Sequence, residues 1–149
     1  LSKVIAYIKF LINSKNEHGV HSPFVFNLVT QCLYEKSTPD GFSTWKKFRH
    51  QLISNQDFIH VTDFGAGSKV FTSDKRQVSK ITKHAGISEK RARLIMKLTH
   101  YFNFKNTLEI GTSVGLGTSA IALGNANMRI TTLEGCHETA NVAKSMFDE

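Results

Sequence analysis

Residues 107–134 read TLEIGTSVGLGTSAIALGNANMRITTLE. A short apolar run leads to Glu109. A loop rich in glycine follows, with Gly111, Gly115 and Gly117, then an alanine-rich segment and a second β-rich run that ends in Glu134. Strand, glycine turn, helix, strand and terminal acid is the order a nucleoside-binding βαβ unit requires. Gly111 lets the chain turn sharply off the first strand, while Gly115 and Gly117 keep side chains away from an approaching ligand. Amides at the start of the next helix can serve a polar group, and Thr112 and Ser113 add hydroxyls. Glu134 lies 17 residues after Gly117, where a carboxylate can accept both hydroxyls of a ribose.

The spacing is E-x-G-x-x-x-G-x-G rather than G-x-G-x-x-G. A pyrophosphate would be repelled by Glu109, whereas a ligand with a cationic amino-acid end tolerates an acid there. In this form LEIGTSVGLGTSAIAL resembles the first motif of class I S-adenosylmethionine-dependent methyltransferases, as found among small-molecule O-methyltransferases. TTLEG is similar to their second motif, and HGVHSPFVF and DFGAGS resemble N-terminal segments of bacterial members. The resemblance implies S-adenosyl-L-methionine as cofactor and a small-molecule methyl acceptor. It implies that Glu109 and Gly111 lie beside the methionine moiety and that Thr112, Ser113, Gly115 and Gly117 line the loop. Glu134 would hold the ribose, with Gly135 and Cys136 near the adenine. The implied fold is α/β, a Rossmann-like methyltransferase fold that is incomplete here, with a helical N-terminal region over 1–104 and the first βαβ unit over 105–149. Such domains carry about seven strands, so the chain reads as an N-terminal fragment, inactive alone. No catalytic residue, general base or metal ligand is assigned.

Outward from this stretch the chain is helical. Val4, Ile5, Ile8, Leu11 and Ile12 form one face of an amphipathic helix, read as core or packing surface and as a candidate for pairing two chains. Ser22-Pro23 starts a second helix with an apolar face at Phe24, Leu28 and Cys32. Pro39-Asp40-Gly41 is a turn. A basic helix with Trp45, Phe48 and Leu52 inward and Lys46, Lys47 and Arg49 in solvent comes next. Residues 58–64 suggest a short strand or extended loop. Residues 75–84 and 89–101 read as two helices, the second capped by Ser88. Asp63-Phe64-Gly65-Ala66-Gly67-Ser68 has the look of a nucleotide loop, but helices rather than a second strand come after it, so it reads as a turn or lid. His18 and His21 are candidates for an N-terminal flap, although loop histidines are the simpler reading.

The 149 residues carry a net charge of +7. Through Asn106 there are 17 Lys and Arg against 7 Asp and Glu; beyond it there are 2 against 5. A basic half can serve nucleic acid, and residues 78–98 resemble a helix-turn-helix in which Arg91, Arg93 and Lys97 would meet DNA. Leu94, Ile95 and Leu98 weigh against it, since they suit packing under a sheet. A non-catalytic remnant is the third reading. Two cysteines give neither a disulfide framework nor a metal pattern. No apolar run approaches the length of a membrane span, and no secretory signal is visible. A cytoplasmic protein with no membrane partner is the expectation.

Overall fold

The computed structural model describes residues 2–63 and 71–148. They form two compact units, 2–36 and 37–148. The glycine loop read at 63–68 lies outside the described residues apart from Asp63.

The first unit opens with α1 (Ser2–Asn13), in which no residue is buried. Its apolar side chains, expected to pack, stand in solvent: Val4, Tyr7 and Ile12 are each at least 60% exposed. A 3-10 turn follows at Glu17–Gly19. Ser22 caps α2 (Pro23–Asn27) by accepting from the Val25 amide at 3.4 Å, with proline in the first turn as the sequence predicts. The helix then widens into a π-helical stretch, Leu28–Leu33, that buries Cys32. The Tyr34 hydroxyl donates to Glu17 Oε2 at 2.9 Å. The backbone around Glu17 and this hydroxyl hold the Glu17 carboxyl below its usual range and push the Tyr34 phenol up. A depressed carboxyl contributes stability above its unfolded pKa and loses it as pH falls through the folded value. Tyr34→Phe should therefore raise the Glu17 midpoint in an NMR titration; an unmoved midpoint would show that the hydroxyl bond does not form.

The second unit begins with α3 (Phe42–Ser54), which buries Phe42, Trp45 and Leu52. These three side chains share one core with Val78 and Ile81, with Ala92 and Met96, and with Val114, Leu116, Ala120 and Met146. The Trp45 indole, fully buried, donates to the Leu116 carbonyl at 2.9 Å. Residues 37–104, set apart from the βαβ unit by the sequence reading, thus share its core, and compactness divides the chain at 36/37. Arg49 is half-buried rather than in solvent, and its Nε has no hydrogen-bond partner among the described residues.

The span 75–84 is not one helix. Lys75–Gln77 forms β2, paired antiparallel with β1 (Phe58–His60), with His60 opposite Lys75. The chain enters α4 (Val78–His84) directly from β2. Pairing to a strand some 17 residues upstream overrides the local helical pattern. After a short turn, Ser88 caps α5 (Glu89–Phe102), accepting from the Arg91 amide at 3.4 Å. Asn103 ends α5 in the left-handed region at φ 48°.

β3 (Asn106–Ile110), α6 (Leu116–Gly124) and β4 (Arg129–Leu133) follow in the predicted order. The two strands pair in parallel, with Glu109 opposite Thr132. A helix, α7 (His137–Phe147), ends the described chain. Mixed helix with small sheets is the architecture. Alternation along both strands places Thr107, Glu109, Ile130 and Thr132 on the half-buried face. Leu108, Ile110 and Leu133 lie on the exposed one, with Ile110 83% exposed.

Candidate functional site

The glycine loop sits at the carboxyl ends of β3 and β4, where open α/β sheets hold ligands. Two amides, those of Gly111 and Thr112, bond the Leu133 carbonyl at 2.8 and 3.2 Å, so the loop stays tied to β4 as it turns. Gly111, Ser113 and Gly115 all have positive φ, at 93°, 50° and 86°. A side chain at Gly115 would also meet Met146, Phe147 and Ala143 of α7. Gly115→Ala is accordingly expected to cost about 1–2 kcal/mol in a urea titration through backbone strain alone. Wild-type stability in that variant would remove the strain argument.

Ser113, a non-glycine residue in the left-handed region, directs its amide onto Glu134 Oε2 at 2.6 Å. The Cys136 amide bonds the other oxygen, Oε1, at 2.9 Å. Each oxygen of the carboxylate is thus held by one backbone donor. A carboxylate has about four acceptor positions, so one remains on each oxygen. That is the geometry for two adjacent hydroxyls.

Glu134 lines a cavity of about 590 Å³ together with Gly111, Ser113, Gly135 and Cys136. This volume falls within the about 300–1,000 Å³ of small-molecule sites. Five of the nine residues singled out in the sequence therefore meet at one cavity. Glu109, Thr112, Gly115 and Gly117 do not line it. For Glu109 the reason is strand alternation: it faces α6, on the opposite side from Ile110. Its Oε2 accepts from the hydroxyls of Thr118 at 2.5 Å and Thr132 at 2.7 Å. Thr112 joins this network through the Thr132 hydroxyl at 2.5 Å. At Gly117 a Cβ would run into Glu109 Oε1. Glu109 thus supplies negative charge at the first turn of α6, whose cap residue Gly115 has no side chain to do so. With this helix end already neutralised, a pyrophosphate would find little attraction there.

The far wall holds Asp63, which the sequence reading placed in a turn or a lid near the site, and residues that it missed. Asp63 and Phe71, Arg76 of β2, and Ile81 and Ala85 at α4 lie on this side of the lining. Arg76 is fixed from three sides. Its Nε donates to the Ser73 carbonyl at 3.1 Å, its terminal nitrogen lies 3.7 Å from Asp63, and the guanidinium covers the Phe71 ring at 4.9 Å. No local pattern announces this wall, because the hairpin brings it in.

Cys136 ties that wall to the loop. Its Sγ accepts from the Thr62 amide at 3.4 Å and donates to the His60 carbonyl at 3.5 Å, while the His60 amide bonds Glu138 at 2.6 Å. Burial pushes the thiol up, but bonds from Thr139 and from the amides of Thr62 and Glu138 outweigh it and hold the thiol below its ordinary value. A second cavity, of about 460 Å³, lies between α3, β1 and α7 and does not reach the loop.

The helix-turn-helix candidate is partly engaged elsewhere. α5 buries Ala92, Met96 and Thr99 and Lys97 is half-buried, while Arg91 and Arg93 are exposed, Arg93 lying over the Phe42 ring at 4.2 Å. His18 lies in the 3-10 turn and His21 just before the α2 cap, both in the first unit. No helix among the described residues is long and apolar enough to cross a membrane. Comparison with family models, curated proteins and solved structures found no match.

Proposed function

We propose that this chain carries the cofactor-binding part of a Rossmann-like, S-adenosylmethionine-dependent methyltransferase that acts on a hydroxyl of a small molecule. The observation that carries the reading is Glu134, held by two amides at the carboxyl end of β4 with one acceptor position free on each oxygen. A ribose diol fits that arrangement. The neutralised start of α6 favours a cofactor without pyrophosphate, since the Glu109 carboxylate already occupies its positive end.

When bound, the cofactor supplies a methyl group made electrophilic by its sulfonium. The chain's own residues bind and orient. Glu134 fixes the ribose, Gly111 presents bare backbone at the cavity, and the Phe71–Arg76 wall limits water on the far side. Glu109 acts through Thr118 and Thr132 to hold the loop rather than by touching the ligand.

The test is an amide-correlation NMR titration of this chain with S-adenosylhomocysteine. Saturable shifts at Gly111, Ser113, Gly135 and Cys136 are expected. A dispersed spectrum that does not change would remove the reading and leave the nucleic-acid and non-catalytic alternatives.

A further inference from the structure

β2 runs into α4 without a loop, and this junction gathers basic side chains. Lys75 and Arg76 come from the strand. Lys80 and His84, four residues apart, share one face of the helix. All four line a groove of about 360 Å³ with Phe58, Phe71 and the hydroxyl residues Thr72 and Ser73, and among the described residues no acid is on its lining. Two of these side chains stand against aromatic rings. Lys75 Nζ lies 5.5 Å from the Phe58 ring, and the His84 and Phe71 rings stand nearly perpendicular with centroids 5.9 Å apart. Arg76, whose side chain is only 11% exposed, is the fixed member.

Phe71 and Arg76 also line the cavity of Glu134. The two spaces therefore share a wall, and a molecule whose anion rests in the groove can extend past Phe71 towards the glycine loop. With Arg76 ion-paired to Asp63 at 3.7 Å, the net positive charge of the lining comes from Lys75 and Lys80, and two lysines suit a group with more than one negative charge. A phosphate monoester, at about −1.5 to −2 near pH 7, meets that requirement. The groove, at about 360 Å³, has room for such a group. The α5 cations Arg91, Arg93 and Lys97 are not on its lining, so a long strand of nucleic acid would find no continuation there.

We propose that this groove binds a phosphate monoester, and that the acceptor methylated at the neighbouring cavity is a phosphorylated small molecule. Only the second clause rests on the methyl-transfer reading; the anion site stands by itself.

The test uses the same chain, without cofactor, and phenyl phosphate as the probe in an NMR titration. Saturable shifts at Ser73, Lys75, Arg76 and Lys80 are expected, with phenol giving none. The double variant Lys75→Ala/Lys80→Ala alters two exposed side chains and should weaken binding by at least about tenfold, as loss of charge-assisted contacts requires. Lys46→Ala/Lys47→Ala, on the exposed face of α3, should leave it unchanged. No saturable shift, an equal loss in the α3 variant, or tighter binding at these residues by an oligonucleotide lacking terminal phosphate would overturn the proposal. A separate titration with S-adenosylhomocysteine reports on the cofactor reading, so either can fail alone.

Discussion

Glu134→Gln is expected to weaken S-adenosylhomocysteine binding by about tenfold to a hundredfold, the effect of removing charge from a hydrogen bond worth about 1.5–3 kcal/mol. The amide side chain keeps one acceptor oxygen and loses the other. One of the two backbone donors, the Ser113 or the Cys136 amide, then faces an NH₂ group instead of an oxygen. The variant should therefore also relax the loop, visible as altered amide shifts at Ser113 without ligand. Calorimetry gives the affinity and the free spectrum gives the loop. Undiminished affinity in this variant would mean that the ligand does not use Glu134, whatever else the cavity binds.

Trp45→Ala should destabilise the second unit by about 3–5 kcal/mol, the range for truncating a large buried aromatic. That is a large part of the about 5–15 kcal/mol that holds a domain together. Two effects add. The cavity left by the indole opens against Leu116 at the first turn of α6, and the Leu116 carbonyl loses its Nε1 donor. Because Trp45 bridges α3 to α6, the loss should reach β3 and β4 as well. In a urea titration followed by NMR, amides of α3 and of β3 should disappear together at a lowered midpoint. If the β3 and β4 amides outlast those of α3, the helices over 37–104 and the βαβ unit fold separately, and the shared core is not what holds them.

Local signals carried much of the fold. The run 107–134 contains its own strand, turn, helix and strand, so each step is decided by neighbours a few residues apart. Ser22 and Ser88 announce their helices because a cap bonds an amide only three residues ahead. Glu134 was legible for the same reason: it closes a strand whose end the pattern marks. The β1–β2 hairpin was not legible. Lys75–Gln77 continues the helical pattern of Val78–His84, and only pairing with Phe58–His60 makes it a strand.

The site divides along the same line. Sequence by itself determined the strand–turn–helix–strand order, the sharp turn at Gly111 and the acid at the second strand end, whereas Gly115 and Gly117, read as clearing space for a ligand, pack against α7 and Glu109. Tertiary structure alone decided what surrounds them. It turned Glu109 away from the cavity and onto Thr118 and Thr132, since the direction of a strand residue depends on which face the helix covers. It brought Arg76 and Phe71 to the far wall, and it seated Trp45 under the start of α6. Those contacts join residues from 9 and 23 positions apart, at Glu109, to 71 apart, at Trp45, and they form because buried polar groups and apolar faces must find partners wherever the packed chain supplies them.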